Sequence, residues 1–179
     1  MIRVANKNLI GLFGGSFDPA HKGHLKISKA SIKKLNLKKL YWIVTSQNSF
    51  KKKTFFSLDK RLKISKKISK DYKKIEVRFI DKLAKSSKTI NTLKYLMKKN
   101  KKSKFFLIIG SDNLVNFHKW KDWEKLTKLS QLVVFSRKGF EYRARKSVTT
   151  RYLGKKNIIF IKDNKIDISS SQIRKNYLL

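Results

Sequence analysis

Six short runs rich in apolar and β-branched residues, with helix-like stretches between them, leave this 179-residue chain few folds to adopt. The runs are Leu9–Phe13, Leu40–Thr45, Ile75–Ile80, Phe105–Ile109, Leu132–Phe135 and Ile158–Ile161. Several are continuous rather than alternating, as expected of strands covered on both faces. Between them, Leu25–Leu35, Leu58–Ser69, Thr89–Met97 and Trp120–Leu129 repeat their apolar residues at helical spacing. In the second, Leu58, Leu62, Ser65 and Ile68 or Ser69 fall on one face, with lysines opposite. Only Glu141–Leu153 resists reading, fitting a basic helix or an irregular excursion equally well. Strands alternating with helices predict an α/β, Rossmann-like, doubly wound and mostly parallel sheet with helices on both faces. Right-handed crossovers then put ligands at the carboxyl ends of the strands. No linker or internal repeat divides the chain, so residues 1–179 are expected to form one domain.

The chemistry concentrates where the first run ends, at Gly14-Gly15-Ser16-Phe17-Asp18-Pro19-Ala20-His21-Lys22-Gly23-His24. A strand feeding a glycine turn and then a helix lets backbone approach a ligand closely and aims helix-start amides at phosphate oxygens. Two histidines three residues apart share a helical face and can point at one group. A histidine pair on a helix often serves packing alone. Here the Gly-Gly, the only proline of the chain and the amphipathic stretch that follows favour a ligand site.

Two further segments lie on the same expected side. Asp167-Ile168-Ser169-Ser170-Ser171-Gln172-Ile173-Arg174 follows the last strand candidate. One serine there is enough to cap a helix, whereas three with an arginine offer several donors to an oxyanion. At Gly110 a strand ends, and Asp112 stands beyond it, placed either to accept ribose hydroxyls or to cap a helix. Trp120 is suited to stack on a planar heterocycle or to fill the core. His118 and Trp123 read as structural or surface residues.

Composition sets the remaining bounds. The chain has no cysteine, which excludes disulfides, thiolate catalysis and a cysteine zinc site. No apolar stretch is long enough for a signal peptide or a membrane span, so a cytoplasmic location is expected. The net charge of +35 raises the local concentration of polyanions. Yet 38 of the 46 basic residues are lysine and 8 arginine, spread along the chain. Arginine is the side chain suited to bidentate recognition, so a dedicated nucleic-acid reader is disfavoured. Abundant Lys, Ile and Asn, all with A/T-rich codons, fit genomic base composition displayed on solvated faces. Nucleic-acid binding is then at most nonspecific, through surface lysines.

These motifs resemble the H-x-G-H nucleotidyltransferase superfamily and, within it, the bacterial nicotinate-nucleotide adenylyltransferases. The likeness runs in order from the glycine-histidine motif through Gln47–Lys51, Asp59–Leu62, Thr89–Leu93, Gly110–Trp120 and Ser136–Phe140 to the closing Ile168–Arg174. It implies adenylyl transfer from ATP, carrying Mg2+, to nicotinate mononucleotide, with no covalent enzyme intermediate and no protein metal site. His21 and His24 would bind the phosphates about the reacting centre. Gly14, Gly15 and Ser16 would give main-chain amides to ATP, with Phe17 in the same ATP-binding turn. Gly110 and Asp112 would face the adenosine, and Ser169, Ser170 and Arg174 the triphosphate. Lys51, Thr89 and Trp120 would contact the acceptor, Trp120 by stacking on the ring. The chain departs from many relatives by carrying Gln47–Lys51 in place of a Pro-Pro-His loop and Lys88 where an aromatic residue is common. Phosphopantetheine or nicotinamide mononucleotide as acceptor, and a non-enzymatic basic nucleic-acid-binding protein, are the competing readings.

Overall fold

Alternate residues of a strand point to opposite faces, and here the two faces fill separate cores. Ile10, Leu12, Tyr41, Ile43, Phe105, Leu107, Ile109, Leu132 and Val134 pack on one side. Phe13, Leu40, Trp42, Val44, Phe106, Ile108, Val133 and Phe135 pack on the other. Burial of both sets explains why these runs read as continuously apolar.

The computed structural model describes residues 8–46, 54–162 and 170–175. Its strands are β1 (Asn8–Gly15), β2 (Lys39–Val44), β3 (Ile75–Arg78), β4 (Ser103–Gly110), β5 (Gln131–Phe135) and β6 (Ile158–Ile161). All pairings are parallel, in the order β3-β2-β1-β4-β5-β6. The helices are α1 (Lys22–Lys34), α2 (Leu58–Ser69), α3 (Thr89–Lys99), α4 (Ser111–Val115), α5 (Trp123–Leu129), α6 (Glu141–Arg145), α7 (Val148–Leu153) and α8 (Ser170–Lys175). Apolar residues of α1 and α2 join the second core, while Ile90, Leu93 and Leu96 of α3 and Leu126 of α5 join the first. Helices thus cover both faces. The winding reverses between β1 and β4, which opens a crevice at their carboxyl ends. Among the described residues no helix is long and apolar enough to cross a membrane.

The structure departs from the sequence expectation in a few places, each with a local cause. The deepest row of α2 is Arg61, Ser65 and Ser69, not its leucines. Ser65 Oγ donates to the Arg61 carbonyl at 2.7 Å and Ser69 Oγ to that of Ser65 at 2.9 Å. A small side chain that satisfies its own hydroxyl can face the core without a penalty. The expected helix from Trp120 begins only at Trp123. Phe117–Lys119 form a 3-10 turn, Trp120 is extended and Asp122 adopts φ +53°. Glu141–Leu153 divides into α6 and α7 because the Ser147 side chain accepts from the Thr150 amide and starts a new helix.

Candidate active site

At the end of β1 the chain reaches Gly14 and Gly15, and neither glycine has the same reason for being there as Gly11 on the same strand. A Cβ on Gly11 would come within 2.8 Å of the Leu37 side chain, so that glycine serves helix–sheet packing. A Cβ on Gly14 would meet nothing within 4 Å. The backbone there borders open space at the mouth of the crevice.

Beyond the glycines, His21 is the N-cap of α1 and His24 lies in its first turn. His21 Nδ1 accepts from the Gly23 amide at 3.1 Å, and His24 Nδ1 accepts from the His21 amide at 3.2 Å. Imidazole takes the place of the usual serine and glutamate of a capping box. An Nδ1 that accepts cannot carry the proton, so both neutral rings hold it on Nε2. The rings lie 4.0 Å apart between centroids. Burial, followed by the positive charge of Arg137, lowers the His21 pKa to about 4. His21 is therefore an uncharged Nε2–H donor near neutral pH.

An aromatic cradle holds His24. Its ring is 4.7 Å from that of Phe17, 5.8 Å from Phe13 and 6.1 Å from Trp42. Trp42, fully buried, donates Nε1–H to Ser28 Oγ at 2.6 Å, and Ser28 donates to the His24 carbonyl at 2.8 Å. Phe17 sits at φ +47° with its ring stacked on Trp42. That ring is core, leaving the main chain as the part of Phe17 available to a ligand.

The Gly15–His21 turn is anchored from three directions. Arg61, 1% exposed, donates to the carbonyls of Ser16 and Thr45 at 2.7 Å each and to those of Phe56 and Ser46 at 3.1 Å each. Burial depresses its pKa, while the charges of Asp18 and Asp81 support the cation. Claiming the Thr45 carbonyl for this guanidinium also ends β2 one residue earlier than the apolar run suggests. The Asp18 carboxylate accepts the amides of Phe55 and Phe56 at 2.8 and 2.9 Å. From α8, Ser170 Oγ donates to the Pro19 carbonyl at 3.0 Å and Arg174 to the Asp18 carbonyl at 2.6 Å. Segments separated by about 150 residues thus meet at the histidine turn.

On the β4 side of the crevice, a Cβ on Gly110 would fall 2.4 Å from Asp112 Oδ1, so a side chain there would have to push the carboxylate out of place. Asp112 lies inside the first turn of α4 and makes no capping bond at Gly110. Its Oδ2 accepts from Arg137 Nη1 at 2.7 Å, while Oδ1 is buried without a partner. Ser111 Oγ accepts the Arg137 amide at 2.8 Å and so fixes the turn after β5. The Ser16 hydroxyl is likewise buried with no hydrogen-bond partner. Farther along, Trp120 is half-buried with its ring 5.0 Å from Phe117, and Thr89 is a half-buried first residue of α3. Lys51 and Ser169 lie outside the described residues, as do Gln47–Phe50 and Asp167–Ile168.

The sequence reading gave no role to Arg61, Arg137, Asp18 or Trp42. One signal was available for the arginines. In a chain where lysine is the usual cation, an arginine marks a place suited to its planar fork; Arg61 and Arg174 each use more than one nitrogen here, while Arg137 pairs with Asp112 through one.

Comparison with known proteins bears on the family and the fold. The cytidylyltransferase-like family matches residues 12–176. A Pelagibacter ubique protein described as "Probable nicotinate-nucleotide adenylyltransferase" is 46% identical over 169 residues, 94% of this chain and 93% of its own. A Fusobacterium nucleatum protein of the same description is 36% identical over 92% of this chain and 85% of its own. Among solved structures, Plasmodium falciparum nicotinic acid mononucleotide adenylyltransferase complexed with NaAD has a TM-score of 0.71 at 23% identity, covering 94% of this chain and 83% of that one. Together the matched span and the level of identity place the chain in the cytidylyltransferase-like family, among its nicotinate-nucleotide adenylyltransferases.

Proposed function

We propose that this protein transfers the adenylyl group of ATP to the phosphate of nicotinate mononucleotide, forming deamido-NAD and releasing pyrophosphate. The observation that carries the reading is the meeting of the His21–His24 pair, the open backbone at Gly14 and the α8 anchor at one sheet edge. The named relatives supply the acceptor.

The acceptor phosphate attacks the α-phosphorus in line with the departing pyrophosphate, so no protein nucleophile is needed. Catalysis then rests on positioning and on stabilising charge as it develops. Nε2–H of His21 and of His24 donate to phosphate oxygens, with main-chain amides of Gly14, Gly15 and Ser16 beside them. Main-chain atoms of Phe17 complete that turn. Ser169, Ser170 and Arg174 are assigned to the triphosphate. Gly110 and Asp112 receive the adenosine, the unpartnered Asp112 Oδ1 being suited to accept a ribose hydroxyl. In this reading Thr89 and Trp120 serve to bind the acceptor and Lys51 to bind its phosphate. In the structure Ser170 and Arg174 donate to the Pro19 and Asp18 carbonyls, so binding a triphosphate requires them to share or exchange these partners.

Magnesium belongs to the substrate in this scheme. Among the described residues there is no group of three His, Cys, Asp or Glu side chains able to hold a metal. The Asp18 oxygens accept amides and Asp112 Oδ2 pairs with Arg137. In this scheme the ion arrives on ATP, where it neutralises phosphate charge.

The test is pyrophosphate release from MgATP with nicotinate mononucleotide, nicotinamide mononucleotide or phosphopantetheine as acceptor. The highest kcat/KM is expected with the nicotinate. A preference for either rival acceptor reassigns the substrate, and no release with any of them removes the reading.

A further inference from the structure

Asp18 is the acidic residue of the glycine-histidine motif, and the transfer scheme leaves it without a task. It is 6% exposed. Charges so deeply buried persist only when paired and hydrogen-bonded, and this one is doubly engaged. Its two oxygens accept consecutive main-chain amides, Phe55 at 2.8 Å and Phe56 at 2.9 Å. Its own carbonyl accepts Arg174 Nη1 at 2.6 Å, and the same nitrogen lies 3.7 Å from carboxylate Oδ2. One residue therefore grips the segment leading into α2 with its side chain and α8 with its carbonyl and charge.

The anchors around it divide the labour. Ser16 is held by a hydrogen bond from Arg61, whose charge Asp18 and Asp81 support together, and His21 by its cap, so each end of the turn has a hydrogen bond that is not made to Asp18. The amides of Phe55 and Phe56 and the pairing of Arg174 do depend on it, while Arg61 also holds the Phe56 carbonyl. Nothing in a cap or a packing role requires an acid here, since Asp18 precedes α1 by four residues and the cap is His21.

We infer that Asp18 is a positioning residue that holds Arg174 and the backbone before α2 in register with the histidine pair, and so sets the affinity for the triphosphate. The inference rests on reading this site as a nucleotidyl-transfer centre. It assigns to Asp18 no contact with substrate. Removing its charge frees Arg174 from its carboxylate partner, and an asparagine at this place would set its NH2 against one of the two amides. The histidines remain capped, so binding suffers more than chemistry.

The experiment compares the wild-type protein with Asp18→Asn and Asp18→Ala in steady-state pyrophosphate release, well below each variant's melting temperature. Active-site concentration is fixed by folded fraction. For Asp18→Asn the KM for MgATP should rise about five- to tenfold, with kcat and the KM for the acceptor within threefold of wild type; Asp18→Ala should shift KM for MgATP further. A double-mutant cycle with Arg174→Lys should be non-additive, as expected of residues in contact. An unchanged KM for MgATP overturns the inference, and so does an equal loss in all kinetic constants, which is what merely structural damage produces. Additive effects with Arg174→Lys overturn it too. If Asp18→Ala does not fold, Asp18→Asn and the cycle still decide. Wild-type protein inactive with every acceptor removes the functional reading instead, a result distinct from any of these.

Discussion

Gly11 and Gly14 lie three residues apart on β1, and alanine at each should produce opposite phenotypes. At Gly11 the added methyl would sit 2.8 Å from Leu37 Cδ1 and 3.1 Å from both Ile108 Cδ1 and Leu40 Cγ. Three close neighbours in a packed core leave little room to relax, so overpacking should cost about 1–3 kcal/mol. For a chain of this length that corresponds to a melting temperature lower by roughly 3–8 °C. At Gly14 the methyl meets no atom within 4 Å, and its backbone is not in the left-handed region that penalises alanine. Loss of glycine's freedom in the unfolded chain should then raise stability by about 0.4–1 kcal/mol, or roughly 1–3 °C. The same methyl would occupy space assigned here to the nucleotide. A loss of about 2 kcal/mol of transition-state binding corresponds to about a thirtyfold lower kcat/KM for MgATP. Thermal unfolding of both variants, followed by pyrophosphate release, reads both quantities. A Gly14→Ala protein with kcat/KM within threefold of wild type would refute the claim that a ligand uses this space. A Gly11→Ala protein that melts at the wild-type temperature would refute the packing argument.

Three other outcomes follow from the same coordinates. Replacing Arg61 with Met strands the four carbonyls it serves and removes the counter-charge of Asp18 and Asp81. The cost should be about 3–5 kcal/mol, seen as a melting point lower by about 8–13 °C; Lys at the same place, lacking the fork, should recover part of it, and a shift under about 3 °C for Met contradicts the account. His21 should show a protonated Nε2 and a bare Nδ1 by 15N NMR at pH 7, titrating below pH 5, and an imidazolium signal at pH 7 would disprove the neutral donor. Because its folded pKa lies below the ordinary 6.5, the unfolded chain takes the proton first. Stability is thus unaffected by this group above pH 6.5 and falls as the pH drops from about 6.5 toward 4. Gly110→Ala should displace the Asp112 carboxylate, which a Cβ would approach to 2.4 Å, and raise the KM for MgATP more than that for the acceptor.

Much of this molecule was legible before any coordinates. Six strands, their parallel arrangement and the sheet edge at which the glycine turn and the two histidines fall follow from local signals: apolar runs, helical periodicity and a strand-turn-helix sequence. Such signals act within ten or fifteen residues, and burial on both faces leaves a strand no choice but to be apolar throughout. The histidine and glycine positions were legible for the same reason, since strand, turn and helix start are neighbours in the chain.

What the chain could not announce is which distant residues complete the turn. Asp18 meets Phe55 and Phe56 across 37 and 38 positions and Arg174 across 156. Arg61 reads as one more cation on a lysine-rich helix until its carbonyl partners are seen. The tautomers of His21 and His24 depend on backbone amides whose direction is set only when α1 docks on the sheet. Periodicity decided the layers because each strand or helix buries its own stripe; the polar contacts awaited the fold because a buried charge is tolerable only where several remote carbonyls or amides converge on it.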